Sequence, residues 1–191
     1  MTKIIFVCFG NICRSPMAEF IMKHLVTRAG LEKDFVIESA GCHAAVGTPL
    51  SNGTAGELRK HNIPFTRRTS EQLSTWDYEN FDYLIGLDSS NVRDIKDICG
   101  GDPDGKIFLL MEFAGERRDV ADPWYTDDYA TTYNDVLIGC EALLETPRLK
   151  SPPLRTLMSS PPLLTWLSAP LTVSLPPSST SSVACLFVVP P

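Results

Sequence analysis

The strongest constraint on this chain is a rhythm: an unbroken apolar run gives way to a helix-like segment, and the pattern then repeats. "KIIFVC" (3–8) shows no polar alternation after its lysine, which is how a strand reads when both faces of its sheet are covered. Residues 16–29 follow with Met17, Phe20, Ile21 and Leu25 at helical spacing, Ser15 placed to cap and Pro16 in the first turn. "FVIESAG" (35–41) predicts a second strand, "NGTAGELRKHNI" (52–63) a helix and "DYLIGLD" (82–88) a third strand. A short helix over 89–98, a fourth strand "IFLLMEF" (107–113) and a last helix from Ala130 to Leu144, stopped by Pro147, complete the series. Such alternation predicts an α/β fold with a parallel sheet and helices on both sides, whose ligands bind at the strand ends.

The rhythm stops near Thr146. Residues 147–191 hold ten prolines and nine serines, and their only charges are Arg148, Lys150 and Arg155. Without them 14 basic residues face 23 acidic ones, a charge of -9 for residues 1–146. The chain therefore reads as one domain over 1–146 and a Pro/Ser-rich tail over 147–191, disordered or non-native, since its prolines remove backbone donors. Net acidity argues against a nucleic-acid partner. No apolar stretch reaches 18 residues and no signal peptide is readable, so the expectation is a cytoplasmic protein without a membrane partner. The six cysteines are too scattered for a secreted disulfide scaffold.

At the first strand–helix junction stands "CFGNICRS", a Cys-x5-Arg-Ser sequence. Five intervening residues suffice to curl a loop round one tetrahedral oxyanion, with amides facing inward at the positive end of the next helix. Gly10 and Asn11 tolerate the left-handed torsions that such a nest needs. Arg14 supplies a planar fork for two oxygens, and the amides and cation favour a thiolate at Cys8. Ser15 can donate to that sulfur and ease its departure. Each residue type suits covalent attack on phosphorus. Zinc binding is a poor alternative, because C-x4-C with only His24, His43 and His61 elsewhere lacks the usual ligand spacing. A nucleotide loop of the G-x-x-x-x-G-K-[ST] type is absent.

Displacing an alkoxide or phenoxide needs a proton donor, and "VADPWYTDDY" (120–129) provides a candidate in Asp122. Pro123 holds the preceding residue extended, and Trp124 and Tyr125 offer flat walls for a substrate. Taken alone, an Asp-Pro turn with two half-buried aromatics would serve as well.

The two motifs together resemble the low-molecular-weight protein tyrosine phosphatases, on "VCFGNICRSPMAE", the "ESAG" strand end, "YLIGLDSSNVRDI" and the Asp-Pro-aromatic-aromatic loop. The resemblance covers residues 2–146. It implies a three-layer α/β sandwich with a four-stranded parallel sheet of flavodoxin/Rossmann-like type, and metal- and cofactor-independent hydrolysis of phosphotyrosine in proteins or peptides. It implies Cys8 as the nucleophile that forms a phosphocysteine, Arg14 as the oxyanion clamp and Asp122 as the acid that later activates water. Phe9, Gly10, Asn11, Ile12, Cys13, Arg14 and Ser15 would bind the phosphate, which is also product and inhibitor. Ser39 would brace the loop, Trp124 and Tyr125 would form the substrate slot, and Cys13 would be the redox partner of Cys8. Departures are Trp124 where a tyrosine is frequent, Phe9 where a leucine is frequent, and the less readily aligned 42–50 and "TRRTSEQL" segments. Thioredoxin-coupled arsenate reduction would need a further cysteine pair near the third strand, where this chain has "LIGLDSSN". The other tyrosine-phosphatase families, dual-specificity ones included, share Cys-x5-Arg but place their acid upstream and a histidine before the cysteine. A phosphotyrosine-binding module without turnover would have no use for an intact Cys8, Arg14 and Asp122.

Overall fold

A computed structural model of the chain describes residues 1–146; the segment 147–191, and the expectation attached to it, lie outside the described residues. Four strands, β1 (Thr2–Cys8), β2 (Phe35–Gly41), β3 (Tyr83–Gly86) and β4 (Ile107–Leu109), form one sheet in the order β2-β1-β3-β4. All three pairings are parallel. In that register Cys8 lies beside Gly41 and Val7 beside Gly86, so the carboxyl ends of three strands finish together. Six helices accompany them: α1 (Arg14–Arg28), α2 (Asn52–Lys60), α3 (Thr75–Asn80), α4 (Ser89–Cys99), α5 (Pro123–Thr126) and α6 (Tyr129–Glu145).

The unbroken apolar run of β1 is explained by what lies on each side of it. Ile4, Phe6 and Cys8 pack into one cluster with Met17 and Ile21 of α1, Leu58 of α2 and Tyr133 and Val136 of α6. Ile5 and Val7 point the other way, against Tyr78 of α3 and Ile95 of α4. The result is three layers, with a fully buried strand carrying the first cysteine. Each wholly buried side chain such as Phe6 or Ile21 stabilises the fold by about 1.5–3 kcal/mol.

Three local expectations change. Helix α1 begins at Arg14, after a Cys13 that makes no side-chain cap, and Ser15 sits inside the first turn with its hydroxyl against Cys8. The expected strand 107–113 stops at Leu109, and Leu110–Ala114 turn as a 3-10 helix that ends at Gly115 with φ 77°. Consecutive Leu110 and Met111 both enter the same core cluster, which a strand of alternating faces cannot achieve. Helix α3 was not expected; the Asp77 carboxylate accepts the Ser74 amide at 2.8 Å and starts it.

Gly41 brings β2 against the loop after β1: a Cβ there would stand 2.8 Å from the Phe9 carbonyl oxygen and 3.0 Å from the Asn11 nitrogen. Gly41→Ala is therefore expected to cost about 1–3 kcal/mol in urea denaturation. Gly56→Ala, on an α2 position with nothing within 4 Å, is expected to gain about 0.5–1 kcal/mol in the same measurement.

Candidate active site

The site is a cleft of about 420 Å³ at the carboxyl ends of the strands, lined among others by Cys8, Gly10, Ile12, Cys13, Arg14 and Asp122. Cys8 ends β1 and is 3 % exposed. The Asn11 amide donates to Cys8 Sγ at 3.3 Å, and Ser15 Oγ lies 3.0 Å from it. Asn11 has φ 55°, the left-handed torsion anticipated for this loop. Its side-chain amide is fully used. Nδ2 donates to Ser15 Oγ at 2.9 Å and Ser39 Oγ at 3.0 Å, while Oδ1 accepts from Arg68 Nη2 at 2.6 Å and the Glu71 amide at 2.9 Å.

Behind Asn11 the network continues to a buried carboxylate. Glu19, 7 % exposed, accepts from Ser39 Oγ at 2.7 Å, from Arg68 Nη1 at 2.8 Å and from Lys23 at 2.5 Å. Arg68 Nη1 also donates to Ser39 Oγ. The rear of the loop is tied to α2: the Ser51 amide donates to the Ile12 carbonyl at 3.0 Å and Thr54 Oγ1 to the Cys13 carbonyl at 3.2 Å. The Cys13 thiol contacts the Tyr129 hydroxyl at 3.9 Å. Burial pushes its pKa up, and its contacts with Ser51 and Tyr129 offset this only in part.

Arg14, 3 % exposed, spans the cleft floor between two carboxylates. Nη1 donates to Asp88 Oδ2 at 2.5 Å and to the Val120 carbonyl at 3.3 Å, and Nη2 donates to Asp122 Oδ2 at 2.6 Å. Burial opposes the guanidinium charge, but the negative charges of Cys8, Asp88 and Asp122 more than offset it and raise its pKa. Burial likewise pushes the Asp88 carboxyl up, and the Ser90 hydroxyl, the Asn91 amide and Arg14 together pull it below its ordinary value. Asp122 caps α5, its Oδ1 accepting the Trp124 amide at 3.0 Å. Its loop is also fastened by the Val120 amide on the Leu87 carbonyl at 2.9 Å and by Thr132 Oγ1 on the Ala121 carbonyl at 3.0 Å. Trp124 and Tyr125 border the same cleft, 68 % and 85 % exposed.

The structure thus brings Cys8, Phe9, Gly10, Ile12, Cys13, Arg14, Asp122, Trp124 and Tyr125 onto one cleft, with Asn11, Ser15 and Ser39 behind it. Sequence reasoning missed Asp88, Glu19 and Arg68 as parts of the site. Asp88 lies within a stretch that resembles the phosphatases, and Arg68 within one that aligns poorly.

The sequence model of the low molecular weight phosphotyrosine protein phosphatases matches residues 3–151. The chain belongs to that family. As a member it is a phosphotyrosine protein phosphatase and a metal-independent hydrolase. It is 41% identical over 147 residues to the low molecular weight protein-tyrosine-phosphatase PtpA of Staphylococcus aureus, covering 76% of this chain and 93% of that protein. Among solved structures it is similar to YfkJ from Bacillus subtilis, with TM-score 0.75 and 34% identity over 79% of this chain and 97% of that one. It is also similar to the low molecular weight protein tyrosine phosphatase of Streptococcus pyogenes, with TM-score 0.68 and 41% identity over 75% and 91% of the two chains.

Two outcomes are expected from this phosphatase site. Arg68→Met leaves Asn11 and Glu19 short of donors in a buried setting, and should cost about 1–3 kcal/mol by denaturation. Asp88, with a lowered native pKa, contributes stability that is present in full above about pH 4 and is lost as pH falls through its native value. The denaturation midpoint of the wild type should therefore fall more steeply below pH 4 than that of Asp88→Asn.

Proposed function

We propose that this phosphatase works through a phosphocysteine on Cys8, with Arg14 as the oxyanion clamp and Asp122 as acid and then base. The observation that carries the reading is the guanidinium held between Asp88 and Asp122 beside a sulfur that the Asn11 amide and Ser15 hydroxyl both touch.

In the first step the Cys8 thiolate attacks phosphorus in line, the bond to the aryl oxygen breaks and that oxygen takes a proton from Asp122. A bound phosphoryl dianion competes with Asp122 for Arg14 Nη2. Asp88 keeps its hold on Nη1 and so fixes the plane of the fork. In the second step water attacks the phosphocysteine, gives its proton to Asp122, and the phosphorus–sulfur bond breaks. Ser15 has a single proton to place: its oxygen accepts from Asn11, and its O–H reaches either the Ala40 carbonyl at 3.2 Å or Cys8 Sγ at 3.0 Å. Turning from the carbonyl to the sulfur stabilises the departing thiolate. Amides and guanidinium stabilise charge on the equatorial oxygens, the largest expected contribution.

Phosphotyrosine-bearing proteins or peptides are the substrates of this reading, with inorganic phosphate as product and competitive inhibitor. The exposed rings of Trp124 and Tyr125 at the cleft support a flat aromatic leaving group. Cys13, adjacent in the loop, is the partner for a reversible disulfide that shields Cys8 from over-oxidation. The working domain is 1–146, and the setting is the cytoplasm; no helix of the described residues is long and apolar enough to cross a membrane.

The full chain should hydrolyse p-nitrophenyl phosphate without added metal, and Cys8→Ser should lose turnover while still binding phosphate; a fully active Cys8→Ser would refute the scheme. Asp122→Asn should slow phenyl phosphates with poor leaving groups far more than activated ones, and equal losses would remove Asp122 from the acid role. A chain ending at Thr146 should keep the activity of the full one, which a side-by-side rate measurement checks.

A further inference from the structure

A short strap leads into the Asp122 loop, and its side chains tie it to opposite layers of the sandwich. Arg118 Nη1 lies 2.8 Å from Asp135 Oδ2 of α6. Asp119 reaches the first residue of α4: Oδ1 accepts the Ser89 amide at 2.8 Å and Oδ2 accepts the Ser89 hydroxyl at 3.1 Å. Two contacts from one carboxylate to one residue fix its direction as well as its distance. As the first amide of α4, that of Ser89 has no acceptor within the helix, and the positive end of the helix favours a carboxylate there. Helix α4 does not depend on this contact, because Asp88 already caps it: Asp88 Oδ1 accepts the Asn91 amide at 2.7 Å and the Ser90 hydroxyl at 2.5 Å. The strap depends on it more. Asp119 is exposed, but the next residue, Val120, is buried and its carbonyl accepts from Arg14 Nη1 at 3.3 Å. Asp122 follows two positions later.

We infer that Asp119 is a positioning residue for the general acid: its grip on Ser89 seats the strap so that Asp122 can protonate the leaving oxygen. The inference rests on the reading of Asp122 as acid and adds the part that aims it. A bound phosphoryl group competes for Arg14, which leaves the Trp124 amide and the seating of the backbone to direct the Asp122 carboxylate. Without the Asp119 carboxylate the strap keeps its ties through Arg118, Val120 and Ala121 but loses its side-chain anchor on α4. The anion cradle of Cys8, Asn11 and Arg14 makes no contact with Asp119 and stays as it is. Proton transfer should therefore suffer while phosphate binding does not.

The test compares kcat/KM of the full chain for phenyl phosphate, whose leaving group needs the proton, and for p-nitrophenyl phosphate, which needs it less. Inorganic phosphate serves as a competitive inhibitor that reads the cradle alone. Asp119→Ala should lower kcat/KM for phenyl phosphate about 3–10-fold more than for p-nitrophenyl phosphate, the scale of one hydrogen bond, while the phosphate inhibition constant stays within about twofold. Asp119→Asn keeps an acceptor oxygen for Ser89 and should return the ratio of the two esters to within about twofold of the wild type. A merely structural role would lower both esters alike. An unchanged ratio in Asp119→Ala, a phosphate constant that rises as far as phenyl phosphate turnover falls, or no recovery in Asp119→Asn would each overturn the inference. An Asp122→Asn chain without leaving-group dependence would instead defeat the functional reading beneath it.

Discussion

A buried asparagine in a left-handed conformation is the constraint from which the site follows. Outside glycine that torsion costs about 1–2 kcal/mol, and Asn11 is among the few residue types that adopt it. Here the backbone strain is offset by a side chain whose two donors and two acceptor positions are all satisfied, by Ser15, Ser39, Arg68 and the Glu71 amide. Those partners come from α1, from β2 and from the segment between α2 and α3, so one side chain joins three parts of the fold. The reward is that the amide of Asn11 faces the sulfur of Cys8.

Charge in the site is arranged on the same economy. Residues 1–146 carry -9 overall, an unpromising background for an anion. The loop answers with one cation placed almost out of water, where its field is least screened. Two carboxylates keep Arg14 from being an unpaired buried charge, and they differ in how they are held. Asp88 is fixed from three sides by Ser90, Asn91 and Arg14. Among the described residues the Asp122 carboxylate has only the Trp124 amide and Arg14, at the start of a four-residue helix. Asp88 is thus the more firmly held of the two.

Much of this was readable from the residues, and the remainder was not for physical reasons. Cys8, Asn11, Arg14 and Ser15 fall in one short run at a strand–helix junction, where spacing alone encodes geometry. Asp122 could be found because proline and two aromatics mark its loop. Arg68 could not: it adjoins Arg67 in a stretch with no pattern, and its partner Asn11 lies 57 positions away. Glu19 carries no signal in its spacing, because Arg68 and Ser39 gather round it only in the fold. Ser15 looked like a helix cap, a role its hydroxyl cannot fill while it serves the sulfur. The fourth strand is shorter than its apolar run suggests because such a run shows burial without showing period, and only packing reveals that Leu110 and Met111 enter one cluster.

The fastening of the Asp122 loop to α6 through Thr132 has a bearing on biosynthesis. Cys8 and Arg14 leave the ribosome early, whereas Asp122 follows Arg14 by 108 positions and its loop is seated by a helix that ends at Glu145. The cleft that joins Cys8, Arg14 and Asp122 is thus complete only once almost the whole of residues 1–146 has been made.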